Sequence, residues 1–250
     1  MAIYSEQLRS ALSSIGNADG LLWLDSVCHK LRQSQEPEND LCTFSAMALR
    51  KLSNKQLNDE TRQINTPHGT LQIATWDAGT IARSILILEA AQTWPAESTA
   101  LINAVFRYGD ENERASIVRG LILFPHAEAL KSIALEAGRI NSRFFYTALT
   151  EHNPYPAAFY TEHEFNQLVM KSLFMGIGIG TIYDLAQRTN LELSRMCEDY
   201  IDERLDAKRS VPEDIWLAAR PFLSARGKQQ MEQLAENDPR HKNYISSMGI

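Results

Sequence analysis

Cysteine is scarce in this chain: Cys28, Cys42 and Cys197 are odd in number, far apart, and form no CxxC pair. That argues against a disulfide framework and a zinc ribbon, and leaves the thiols as small buried hydrophobes of a reducing cytoplasm. Long apolar runs are missing as well. Ile85-Leu86-Ile87-Leu88 and Leu121-Ile122-Leu123-Phe124 fall far short of the roughly 20 residues that span a bilayer. Met1 to Gly16 alternates polar and apolar residues without an apolar core, so no signal peptide is expected. Positive charge is in deficit. The 25 Lys and Arg against 31 Asp and Glu leave a net charge of −6, which argues against a nucleic-acid binder. Proline and glycine, 9 and 12 of 250 residues, are too few for a collagen-like or low-complexity chain. With 44% hydrophobic residues the sequence suits a single domain over 1–250 with its own core.

What is present is helical periodicity, interrupted by stops. A first helix runs from Tyr4 to Ile15. A second, Leu21 to Gln33, carries Leu24, Val27, Cys28 and Leu31 at helical spacing. A third follows Pro37 with Leu41, Phe44, Ala48 and Leu52. The polar stretch from Asn54 to Gly69 reads as a long connection. Thr75 is a candidate cap for a helix through Ile81, Ile85 and Leu88. Asp110 with Glu113, Thr161 with Glu164 and Ser210 with Glu213 have the form of capping boxes, the last with Pro212 in its first turn. On 162–175, Phe165, Leu168, Val169 and Leu173 form one stripe, with Met170 and Phe174 opposite. A helix apolar on two sides is buried between neighbours. The expected fold class is all-α, an α-α superhelix of HEAT-like helix pairs or an irregular helical bundle. The competing reading makes Ile85–Leu88 and Leu121–Phe124 buried strands, but the longer frames around both favour helix.

Recognisable catalytic signatures are absent. Gly176-Ile177-Gly178-Ile179-Gly180 is GxGxG rather than GxGxxG and follows a helical segment, so it reads as a glycine-rich helix end. The six histidines make no metal signature, and no P-loop, GxSxG elbow or EF-hand loop occurs. No metal or cofactor is expected. The informative segment is 191–208, where Leu193, Met196, Cys197, Tyr200 and Ile201 share a face with Arg204 near its centre. A guanidinium there needs a carboxylate such as Asp184, a carbonyl, or an anionic ligand. Asp199 and Glu203, one turn apart, are the alternative catalytic pair, with either as a general base. Gln167 and Lys171 project together from 162–175, with Asn166 at the edge of its stripe.

These segments resemble a known family. Arg139-Ile140-Asn141, Asn153-Pro154-Tyr155-Pro156 and Phe165-Asn166-Gln167-Leu168-Val169-Met170-Lys171 are similar to the core of EboA proteins. So are Arg188-Thr189-Asn190, Leu193-Ser194-Arg195-Met196, Asp199-Tyr200-Ile201-Asp202-Glu203-Arg204 and Trp76-Asp77-Ala78-Gly79-Thr80-Ile81-Ala82-Arg83. The resemblance covers 76–223, is looser over 1–70, and leaves 226–250 as a tail. Asp202 stands where the family often has His, and Gly178 and Gly180 where a proline turn is expected. The resemblance implies a cytoplasmic component of a bacterial secondary-metabolite cluster. Its partners would be a UbiA-like prenyltransferase, a TatD-like hydrolase, a sugar-phosphate-cyclase-like protein and TIM-barrel proteins, and the cluster would make a metabolite or move it toward the periplasm. Within that setting the leading expectation is a non-catalytic protein that binds a small anionic metabolite or a partner. Its ligand-binding residues would be Arg139, Asn141, Asn166, Gln167, Lys171, Arg188, Asn190, Tyr200 and Arg204. The alternatives are an enzyme on a small phosphorylated or carboxylated substrate and a protein-docking scaffold.

Overall fold

Capping side chains and proline positions place most helix starts in the structure, a computed structural model in which residues 2–248 are described. The chain is all-α apart from one small hairpin, and it divides into two compact units, Met1–Phe159 and Tyr160–Ile250. The first unit contains α1 (Ala2–Ser13), α2 (Ala18–Arg32), α3 (Pro37–Leu52), β1 (Gln63–Thr66) and β2 (Gly69–Gln72). It continues with α4 (Ala78–Thr93), α5 (Ser98–Tyr108), α6 (Glu111–Gly120), α7 (Lys131–Arg139), α8 (Arg143–Thr150) and α9 (Tyr155–Phe159). The second unit contains α10 (Glu162–Phe174), α11 (Leu185–Arg188), α12 (Leu191–Asp206), α13 (Trp216–Ala219), α14 (Ala225–Asn237) and α15 (Pro239–Ser247). No helix among the described residues is long and apolar enough to cross a membrane.

The first unit is organised around α4. Residues Ala78 to Ala91 are all buried, because α1, α2, α3, α5 and α6 surround them. A helix enclosed on every side needs no polar face, which is why Ile85–Leu88 is helical despite its strand-like composition. Leu121–Leu123 forms a 3-10 turn that ends α6 before Pro125, so neither apolar run is a strand. The cap of α4 is Asp77 rather than Thr75: its Oδ1 accepts the Thr80 N–H at 2.6 Å. The end of the expected connection, from Gln63, instead folds back with the residues after it as the β1–β2 hairpin, pairing Ile64 with Leu71, both buried.

In the second unit α10 opens with the expected box. Thr161 Oγ1 accepts the Glu164 N–H at 3.3 Å, and Glu164 Oε2 accepts the Thr161 N–H at 2.7 Å. Asp110 and Glu113 do the same for α6. The third expected box does not form. Pro212 lies in extended backbone and Glu213–Ile215 is a 3-10 turn. The glycine run behaves as a helix end: Gly176, at φ 65°, follows the last turn of α10. Phe174 is 59% exposed, against the expectation of burial, and its ring meets Tyr200 edge-on at 4.6 Å. The segment after 225, read as a tail, forms α14 and α15. Cys28 and Cys197 are buried, and burial raises their thiols to about 11 and about 12; Cys42 is only half-buried.

Candidate functional site

The polar residues expected to bind ligand are sorted by two helices of the second unit. α10 and α12 run side by side in the same direction. Asn166 faces Asn190, Met170 Sδ lies 3.8 Å from Cys197 Sγ, and Tyr200 Oη donates to the Leu173 carbonyl at 3.4 Å. At the start of α12, Asn190 is the N-cap, its Oδ1 accepting the Leu193 N–H at 2.8 Å. Its amide also exchanges hydrogen bonds with that of Asn166, at 3.1 and 2.9 Å. Asn190 Nδ2 reaches the Arg188 carbonyl at 3.1 Å. The Arg188 guanidinium donates to the Tyr160 carbonyl at 2.9 Å and lies 4.6 Å over the Phe165 ring. Asn166, Arg188 and Asn190 are thus brought together, and much of their donor and acceptor capacity closes a joint within the unit.

Tyr200 and Arg204 lie elsewhere. Arg204 is 14 residues after Asn190, which along a helix is about 21 Å. Rather than an acid or a pocket, Arg204 meets the Ser210 carbonyl through Nε and Nη2, at 2.8 and 2.6 Å. It thereby fixes the turn that leaves α12, with its guanidinium carbon 5.8 Å from the Tyr200 ring centre. Asp184, the acid considered for it, sits in left-handed backbone ahead of α11. Gln167 and Lys171 do share the outer side of α10, Gln167 exposed and Lys171 half-buried, where loss of solvent lowers the ammonium's pKa. Arg139, the last residue of α7, and Asn141, between α7 and α8, belong to the first unit and are both exposed.

Both candidate bases reach solvent. Asp199 is 48% exposed and gripped from both sides, by Arg195 Nη1 at 2.8 Å and Arg226 Nη2 at 2.7 Å. Glu203 is exposed. The acid that does leave water is Glu198, one residue away and 2% exposed. Its carboxylate accepts the Ser224 N–H at 2.8 Å, the Ser224 hydroxyl at 2.6 Å and Arg226 Nε at 3.3 Å. Gln230 adds bonds to the Glu198 carbonyl and to Asp202. Gly227 is required there because a Cβ would run into Glu198. This staple of α14 on α12 was not legible in the sequence; a glycine in the first turn of a helix was its only trace.

Two further features escaped sequence reasoning. His241, fully buried on α15, accepts the Trp216 Nε1–H at Nδ1, 2.9 Å, and lies 3.1 Å through Nε2 from the Val211 carbonyl. Burial lowers its pKa. In the first unit Arg83 is 2% exposed, donating from Nε to the Ser45 carbonyl and from Nη1 to Ser116 Oγ, both at 3.1 Å. Burial lowers its pKa too, opposed at longer range by Glu113, Asp77 and Asp110. A groove of about 300 Å³ in the second unit is bordered by Leu173, Gly176, Gly178, Asp214 and Tyr244. Asp214 Oδ2 accepts the Ile179 N–H there at 2.7 Å, while burial raises its pKa. Among the described residues no three His, Cys, Asp or Glu side chains converge as metal ligands.

The family described as metabolite traffic protein EboA matches residues 4–220, most of the chain. No curated protein and no solved structure matches it. The chain belongs to the EboA family.

Proposed function

With EboA membership as the premise, we propose that this chain serves metabolite traffic by binding a small anionic metabolite, without transforming it. The observation that carries the reading is the state of the acids. Asp199, the better placed of the two candidate bases, is half exposed and held between two arginines. A general base needs an open lone pair and a substrate proton within about 3 Å. Glu203 is exposed to water. Gln167 and Lys171 support the binding half of the reading. They place a neutral amide and an ammonium on the same outer side of α10.

The chain would act in the cytoplasm beside the enzymes of its cluster, receiving the metabolite from, or presenting it to, a prenyltransferase, a TatD-like hydrolase or a TIM-barrel protein. The test is thermal stability of the purified full-length protein against phosphorylated sugars, prenyl diphosphates, organic carboxylates and polyols, with chemical analysis of each ligand after incubation. Binding is expected as a raised melting temperature with an anionic ligand recovered unchanged. Conversion of the ligand, diminished in Asp199→Asn, would overturn the non-catalytic reading. No shift with any anion would overturn metabolite binding and leave the partner enzymes as the object of recognition.

A further inference from the structure

The arginines of the first unit differ in one respect that bears on what this protein holds. Among the described residues, the others that are withdrawn from water meet at least one acceptor within the protein. Arg9, Arg62 and Arg114 meet carboxylates at 2.7, 3.1 and 2.7 Å, and Arg83 donates to Ser45 and Ser116. Arg107 and Arg139 stand in open water. Arg119 is the exception. It projects from α6, whose neighbouring residues Ile117, Val118 and Gly120 are buried, and it is itself half-buried. Among the described residues it meets no carboxylate and donates no hydrogen bond; its close neighbour is the Phe144 ring, 5.6 Å from the guanidinium carbon to the ring centre. Burial lowers its pKa, with Asp77 and Glu151 opposing through space. Asp77 is committed to capping α4.

A half-buried guanidinium with no acceptor in the protein is incompletely satisfied, because burial has removed part of its hydration and the cation-π contact replaces only some of it. The deficit falls away when a ligand supplies the acceptors. The planar fork matches two oxygens of a carboxylate or phosphate. Phe144 is 46% exposed, so beside the fork lies a flat apolar surface for the body of the same ligand. Asp77 and Glu151 set the charge: they favour the guanidinium but repel a second negative charge on the ligand. We propose that Arg119 and Phe144 form a binding site for an organic monoanion, a carboxylate carried on a flat apolar or aromatic body. The site deepens the proposed function and rests on it.

The experiment uses the full chain, with 2-naphthoate, its neutral alcohol 2-naphthalenemethanol and the more highly charged 2-naphthyl phosphate as probes in titration calorimetry. Wild type binds 2-naphthoate with a dissociation constant below about 1 mM, and the other two more weakly. Arg119→Met loses at least about tenfold in affinity, and Phe144→Ala about threefold. Glu151→Gln binds more tightly, because one opposing charge has gone. Melting temperature separates function from structure: Arg119→Met, which keeps a chain over Phe144 and removes a poorly satisfied cation, melts no lower than wild type. Naphthoate binding unchanged in Arg119→Met would overturn the site while leaving the proposed function standing. So would a melting temperature that falls in both Arg119→Met and Glu151→Gln, which marks a structural ion pair. Naphthoate failing to bind wild type overturns the site outright; the proposed function then falls only if the wider anion panel fails as well.

Discussion

Substituting His241 by phenylalanine keeps a ring of similar size in its buried position and deletes both hydrogen bonds. In the native unit the imidazole lies between two fixed groups, the Trp216 Nε1–H that points at Nδ1 and the Val211 carbonyl opposite Nε2. Only the neutral tautomer with hydrogen on Nε2 satisfies both. Trp216 is fully buried and Val211 2% exposed, so phenylalanine leaves a buried donor and a buried acceptor without partners. At about 1–3 kcal/mol for each orphaned group, the cost is about 2–6 kcal/mol. In a domain of 60–100 residues, each kcal/mol moves the melting temperature by about 4–8 °C. His241→Ala adds a cavity and costs more still. His241 is the buried residue of α15, so the loss falls first on that helix. The same geometry fixes a pH dependence. Burial lowers the folded pKa of His241 below the value of 6.5, so the unfolded chain binds the proton more readily. Stability is therefore complete above about pH 6.5 and declines as pH falls below it. Trp216 is the one tryptophan in the second unit, so in urea unfolding the difference in fluorescence between the variants and wild type reports on its surroundings, over a background from Trp23, Trp76 and Trp94. A phenylalanine variant as stable as wild type at pH 7.5, or one that keeps the same loss of stability down to pH 5.5, would refute the reasoning.

Three other outcomes follow from the second unit. Glu198→Ala strips the acceptors from the Ser224 N–H and hydroxyl and should lower stability to urea by about 2–3 kcal/mol, with Glu198→Gln costing less because one oxygen remains. Asn190→Ala removes the α12 cap and the Asn166 pair, so it should destabilise by about 1–2 kcal/mol while ligand affinity of the folded protein stays at the wild-type value. Lost affinity at unchanged stability would return Asn190 to the binding site. Glu203→Gln, in open water, should change stability by less than about 0.5 kcal/mol and leave ligand recovery in the thermal-shift assay unaltered.

The helix starts that could be read in advance are those decided within four residues. Asp110–Glu113 and Thr161–Glu164 close their boxes because donor and acceptor belong to one turn. Ser210–Glu213 has the same letters and fails. Its carbonyl is held by Arg204 from the preceding helix, and Pro212 directs the chain into extended backbone. The hairpin was hidden for a related reason. Each strand is four residues long, and only Ile64 and Leu71 mark the buried side, too short a record for a period of two to emerge. Cap position in α4 shows the resolution of such reading: Thr75 and Asp77 are both acceptable caps, and which one reaches the N–H three residues on is decided by the fold.

Residue type is a weaker guide to a site than the balance of hydrogen-bonding capacity. Asn166, Arg188, Asn190 and Arg204 have the side chains of a ligand cradle, and each has a partner inside the protein. Each bond to a carbonyl or a capped N–H lowers what the same group can offer a ligand, because ligand binding must then break a bond of similar strength. Arg119 stands on the same helix as Arg114, five residues later, and nothing in the letters separates the two. The difference lies in their surroundings. Arg114 reaches Glu136 at 2.7 Å with Phe106 4.4 Å beneath it; Arg119 has the aromatic ring and no acid within bonding distance. If that imbalance marks the ligand, Glu136→Gln should leave 2-naphthoate affinity unchanged while Glu151→Gln raises it, since of these two acids only Glu151 acts through space at Arg119, where it repels the ligand's negative charge. Equal responses in the two variants would mean that the effect is general surface charge, screened away by salt at the Debye length of about 8 Å at physiological ionic strength, and not a site.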